Sequence, residues 1–365
     1  MHCLCNLFAL CCWRRPLGDH PTLRLLRIDT DSPASTTAPA RWQPFLVPCC
    51  DGFPPGRPNR YRCHLLDLRL PASLEGMWLR GVHSVENLSA ALLGCPRLKN
   101  LVLNDFGNPG LKLDIAPLTA LTSLKLHETP VAVAPLASTS VRKLLHVGDY
   151  LSPDHFVLGV LGPASMSMRR LPRLEELSVA CDLYFQDASE VMAAARQLRG
   201  LTMLQCSNEG GWIENLHQLT NLRSLKLLDW KDHNDEEPSD PIAPPASLET
   251  FEMSSDTDAK VMAQVLLDLA GCTRLESLDV HDNTELMPGS LDGLTTSLRR
   301  LELYDCVLRE GELLDLPASL SVVSLKGCMI DAPAKQMRPV CQSDLPDLPS
   351  AQVEIIELDM GHNGH

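Results

Sequence analysis

Aromatic rings are scarce in this 365-residue chain, only 4% of the sequence, which excludes a core of large stacked side chains and leaves an aliphatic one. No apolar run approaches the ~20 residues that a bilayer-spanning helix needs. Basic charge is short as well: 32 lysines and arginines against 46 aspartates and glutamates give a formal charge of -14. That balance counts against a phosphate-backbone partner and in favour of a basic protein partner. Catalytic signatures are missing too. There is no Gly-rich phosphate loop, no Gly-x-Ser-x-Gly elbow and no His-Glu-x-x-His helix. Carboxylates on an open sheet stay hydrated, so nothing raises a pKa for acid-base work. The expectation is a protein that is not an enzyme, with no cofactor and no metal.

Cysteine is not scarce, at 14 residues, but the cysteines form no evenly spaced disulfide framework. Most fall in or beside an apolar repeat, where a small buried side chain is wanted, and read as reduced thiols of an intracellular protein. Cys49, Cys50, Cys63 and His64 lack the Cys-x-x-Cys spacing that wraps tetrahedral zinc. The apolar opening carries Cys3, Cys5, Cys11 and Cys12, acylation candidates beside an apolar segment. It has no basic leader and runs into Trp13-Arg14-Arg15, so a signal peptide is not expected.

What the chain does have is a phrase, leucine-x-x-leucine-x-leucine. It appears as Leu98-Leu101-Leu103, Leu121-Leu124-Leu126, Leu174-Leu177-Val179, Leu222-Leu225-Leu227, Leu275-Leu278-Val280 and Leu298-Leu301-Leu303. Looser copies read Leu201-Leu204-Cys206, Leu248-Phe251-Met253, Leu320-Val323-Leu325, Val141-Leu144-His146, Leu74-Met77-Leu79 and Leu23-Leu26-Ile28. One such unit cannot bury its apolar side alone, so the units stack into a continuous core with one short strand each.

Three connections predict helices, Ser84 to Leu93, Asp187 to Arg199 and Asp258 to Ala270, each opened by a capping residue and closed by a glycine. Others are proline-containing: Pro-Ala-Ser-Leu recurs at Pro71, Pro245 and Pro317, too short and stiff for a helix. The chain divides into an N-terminal segment with a repeat-like phrase (1–28), a Pro-rich loop (29–62) and a repeat solenoid (63–328). A second Pro-rich loop (329–352) and a terminal strand with a polar tail (353–365) follow. An acidic stretch, Lys231 to Pro238, reads as a solvated loop.

These phrases resemble leucine-rich-repeat proteins. Cys306 with Leu308 and Cys328 with Ile330 resemble the cysteine-containing repeats of F-box adaptors, with Asn283 at the same turn position in a neighbouring unit. Cys11-Cys12-Trp13-Arg14-Arg15 followed by Pro21 to Leu26 resembles the end of an F-box leading into a first repeat. The resemblance implies an α/β fold, a curved horseshoe solenoid with parallel strands on the concave face and helices mixed with extended turns on the convex face. It also implies a protein-interaction role.

Alternation along each strand then points the residues between the leucines outward. Glu252, Asp279 and Glu302 fall on three successive strands, ~5 Å apart, with Asp282 and Asp305 extending the ridge and His281 and Tyr304 beside it. Two readings of these seven residues stay open: an ordinary solvated acidic face, or a docking patch for a basic protein. The expected function is a non-catalytic, cytoplasmic scaffold or adaptor binding a protein on the concave face. Two specialised forms stay open: a substrate-recognition subunit of a ubiquitin ligase, which requires an F-box upstream of Met1, and a cytoskeletal or axonemal scaffold.

Overall fold

Each leucine phrase becomes one short strand, because two buried side chains separated by one outward residue suit an extended backbone packed on one face. In the computed structural model the described residues are 2–6, 23–29, 63–65, 70–80, 82–85, 88–104, 114–127, 138–147, 171–180, 195–204, 213–230, 244–255, 259–281, 286, 291, 293–294, 296–311, 313–314, 316–332, 336–346 and 351–356. The chain forms two units, Met1–Val179 and Ala180–His365.

The first unit carries β1 (His2–Asn6), β2 (Leu25–Asp29), β3 (Cys63–Leu65), β4 (Gly76–Arg80), β5 (Val82–Val85), β6 (Asn100–Asn104), β7 (Ser123–His127), β8 (Lys143–Val147) and β9 (Glu176–Ala180). Apart from the β3–β5 pair, these strands lie in one sheet in the order β1-β2-β4-β6-β7-β8-β9. Leu25 pairs in parallel with Gly76, so the repeat-like phrase near the start is a true rung whose Leu23 and Leu26 are buried. The solenoid therefore includes residues that the sequence placed in a separate N-terminal segment.

The second unit carries β10 (Gly200–Leu204), β11 (Ser224–Trp230), β12 (Thr250–Ser255), β13 (Ser277–His281), β14 (Arg300–Tyr304), β15 (Val307–Arg309), β16 (Val322–Lys326), β17 (Met329–Ala332), β18 (Gln336–Pro339) and β19 (Gln352–Ile356). The sheet order is β10-β11-β12-β13-β14-β16-β19, and β15, β17 and β18 form a small second sheet. The segment 329–352, expected as a Pro-rich loop, thus holds two strands. β17 pairs in parallel with β15, and β18 folds back antiparallel on β17. Beyond the return, Arg338 donates to both carboxylate oxygens of Asp344 at 2.7 and 2.6 Å, tying β18 to the short turn that follows it. Arg338 in turn holds the Asp344 carboxyl below the usual carboxylate range.

The core is the stack of leucine phrases. Leu98, Leu101, Leu103, Leu121, Leu124, Leu126, Leu222, Leu225, Leu227, Leu275, Leu278, Val280, Leu298, Leu301 and Leu303 are all fully buried. Rungs interlock by a repeated device: the two amides at the start of one strand share the carbonyl that precedes the previous strand. Glu75 and Gly76 take Arg24 O at 2.8 and 3.0 Å, and Lys99 and Asn100 take Glu75 O at 2.7 and 3.1 Å. The repeats thus satisfy backbone groups that a lone strand would leave unpaired.

Three expectations shift. On β10 the buried pair is Leu201 and Met203, so the phrase is Leu198-Leu201-Met203, not Leu201-Leu204-Cys206, and the outward residues are Thr202 and Leu204. Leu198, Leu201 and Leu204 share the three-residue spacing, and it takes the neighbouring strand to fix the register. The helix expected from Ser84 runs Leu88–Leu93, because Val82–Val85 instead pairs with β3. The helix expected from Asp258 runs Ala259–Leu269, one residue inside its predicted ends. Most of the Asp187 to Arg199 helix lies outside the described residues, and its described end, 195–197, is a turn. Cys49, Cys50 and the acidic stretch also lie outside them. No helix among the described residues is long and apolar enough to cross a membrane.

Candidate functional site

The exposed face of the second unit's sheet is set by strict strand register. Thr202, Lys226, Glu252, Asp279, Glu302, Ser324 and Glu354 form one row, each paired with its neighbour across the ladder. The three predicted acids therefore do stand side by side. His281 and Tyr304 stand in the next row, with ring centroids 4.3 Å apart and planes 9° from parallel. Asp282 lies outside the described residues.

Asp305 is described, and its place is the turn after β14, where its φ of 54° falls in the left-handed region. Gly327 takes the matching position after β16 at φ 66°. Each left-handed residue swings the next cysteine inward: Cys306 Sγ reaches Val280 O at 3.8 Å and Cys328 Sγ reaches Leu303 O at 3.3 Å. Asp305 thus belongs to the turn that seats Cys306. Leu308 and Ile330, two residues beyond these cysteines, are buried as their pattern requires.

The acids do not form a bare negative ridge. Lys226 pairs with Glu252, Arg300 pairs with Glu302, and Lys326 lies 3.9 Å from Glu354. Glu302 is only 5% exposed and also accepts a hydrogen bond from the Tyr304 hydroxyl. Such a carboxylate is tied into the sheet; its removal would leave Arg300 and Tyr304 without it. Tyr304 is held on both sides, by the His281 ring and by Lys326, whose Nζ lies 5.1 Å from the ring centroid. Burial first, then the negative field of Asp279, holds the phenol above its usual pKa, against the pull of Arg300. Tyr304 is therefore a packed strut of this face.

Sequence reading missed the interleaved cations. Their signal is present, since Arg300 and Glu302 stand two apart on one strand and so share a face. Lys226 and Lys326 sit in the outward columns as well, and only register shows that each meets a carboxylate. Asp279 is the exception. Among the described residues its charged contact is His281, whose Nε2 lies 2.9 Å from Asp279 Oδ1.

On the first unit the corresponding row reads Trp78, Val102, Lys125 and Leu145. The next reads Arg80, Asn104, His127 and Val147. This face is apolar and basic where the second is charged in both signs.

No protein-family model matches the sequence, and no curated protein is significantly similar to it. Similar solved structures include an internalin (inlF) from Listeria monocytogenes, with 17% identity, a TM-score of 0.44 and 80% of each chain covered. Another is the plant peptide hormone receptor RGFR1 in complex with RGF2, with 12% identity, a TM-score of 0.39, and 80% of this chain and 51% of that one covered. A third is CroV588, a circular leucine-rich-repeat protein, with 14% identity, a TM-score of 0.38, and 80% and 48% covered. The chain thus spans about half the length of the last two. The leucine-rich-repeat architecture of this chain rests on its own strand register and buried leucine phrases.

Proposed function

We propose that this protein is a non-catalytic binding module that holds a protein partner on the exposed sheet face of its second unit. One observation carries the reading: a continuous, register-locked row of charged and polar side chains from Thr202 to Glu354, opposite the leucine core, in which Glu302 and Ser324 are buried and the other five are at least partly open to solvent. Rigid backbone support keeps such a surface ready for a partner at small ordering cost. Four carboxylates face three fixed cations here, which leaves an excess of negative charge at Asp279. The partner that fits offers a basic side chain to that point and polar groups around it. A ligase adaptor and an axonemal scaffold are specialised forms of the same role, and the identity of the bound protein separates them.

The test is a partner identified by proximity labelling and then measured in solution against wild type and Asp279→Lys. The expected result is a loss of about 10-fold or more in affinity, with a flatter salt dependence. Glu302 is unsuitable for this test because its loss disturbs Arg300 and Tyr304. A partner whose affinity ignores Asp279→Lys docks elsewhere.

A further inference from the structure

Asp279 is the one carboxylate of the row without a lysine or arginine partner among the described residues. Its Oδ1 is closed to solvent, and the contact it makes there is with His281 Nε2 at 2.9 Å. Next to it in register, the Glu302 carboxylate meets the Arg300 guanidinium directly.

Two further donors converge on Asp279. One ligand atom each from Glu252, Asp279 and His281 lies within 4.8 Å of the others. Glu252 comes from β12, and Asp279 and His281 come from β13, two residues apart on one face. The imidazole is held by its stack on Tyr304, so the nitrogen is presented by a fixed ring. Two carboxylates and one imidazole suit a borderline divalent ion, since magnesium and calcium prefer all-oxygen shells.

We propose that Glu252, Asp279 and His281 form a binding site for a divalent transition-metal ion of the zinc type, with the remaining coordination positions open to solvent or to a partner's side chain. This goes against the expectation of a metal-free chain drawn from Cys-x-x-Cys spacing. These ligands are scattered over two rungs, and no linear motif announces them. The donors must draw in to the ~2 Å reach of zinc, and the Glu252 carboxylate must leave Lys226 to do so. Lys226 is thus the competitor of the metal. Occupancy would also reverse the local charge at Asp279 and oppose a basic partner.

The site shares Asp279 with the docking reading, so it is tested on the free protein, where no partner is present. Zn2+ is titrated calorimetrically into the reduced full-length chain, with folding of each variant followed by circular dichroism. His281→Ala and Asp279→Asn are each expected to weaken one site by about 10-fold or more. Lys226→Met is expected to tighten the same site, a gain that misfolding cannot produce. Wild-type zinc affinity in both His281→Ala and Asp279→Asn overturns the proposal, and so does a Lys226→Met chain that binds zinc no more tightly than wild type.

Discussion

The rung that opens at Pro71 and the rung that opens at Pro245 share a sequence, Pro-Ala-Ser-Leu-Glu, and share nearly every contact it makes. In both, the proline carbonyl accepts the leucine amide at 3.0 Å. The serine hydroxyl donates to the previous rung, Ser73 to Leu23 O and Ser247 to Leu222 O, each at 2.7 Å. The proline carbonyl also receives a buried thiol from the next rung, Cys95 at 3.7 Å and Cys272 at 3.6 Å. Inward, Leu74, Met77 and Leu79 match Leu248, Phe251 and Met253. Outward, Trp78 and Arg80 stand where the second rung has Glu252 and Ser254. The interlock uses turn and core positions alone, so the face can change without disturbing it. Function is to be sought where the two copies differ.

The largest effect that tests this equivalence is in the core. Phe251→Ala should cost about 4 kcal/mol and Met77→Ala about 3 kcal/mol, read by denaturant unfolding. A Met77→Ala cost well under 1 kcal/mol would break the pairing of the two rungs. Next comes the face: Asp279→Lys should reduce partner affinity by about 10-fold, roughly 1.4 kcal/mol, while Trp78→Glu on the first unit leaves it unchanged. Equal effects from both would erase the functional contrast.

Smaller again, Ser73→Ala and Ser247→Ala each remove one rung-to-rung hydrogen bond and should cost about 1 kcal/mol apiece. A cost confined to one of them would show that the shared motif is held differently in the two units. The last effect is absent at neutral pH. Burial raises the thiols of Cys95 and Cys272 from 9.0 to about 11, so the folded chain keeps protons that the unfolded chain releases. Stability should hold below pH 9 and decline as pH rises towards 11. In the Cys95→Ala, Cys272→Ala double variant that decline should be shallower.

Much of this scaffold is legible in the sequence because its signal is periodic. Leu275, Leu278 and Val280 recur at the spacing that one buried strand face imposes, and the phrase around Leu298 repeats it. The reading fails where a choice depends on a neighbouring strand. Leu201 and Leu204 fit the phrase equally well until pairing with β11 places Leu201 opposite Leu225. Ser84 looks like a helix cap until Val82–Val85 is seen to pair with Cys63–Leu65. The candidate site shows the same limit. Alternation places Glu252, Asp279 and Glu302 on one face, but the neutralising roles of Lys226 and Arg300 are properties of contact, and so is the approach of His281 to Asp279.

The most direct measurement places a photo-activated crosslinking residue at Lys226 in one chain and at Lys125 in another. These positions occupy the same outward place on their strands, one in each unit. Crosslinks to the partner from position 226 and none from position 125 are the predicted result. Crosslinks from 125 alone would contradict the assignment of function to the charged face of the second unit.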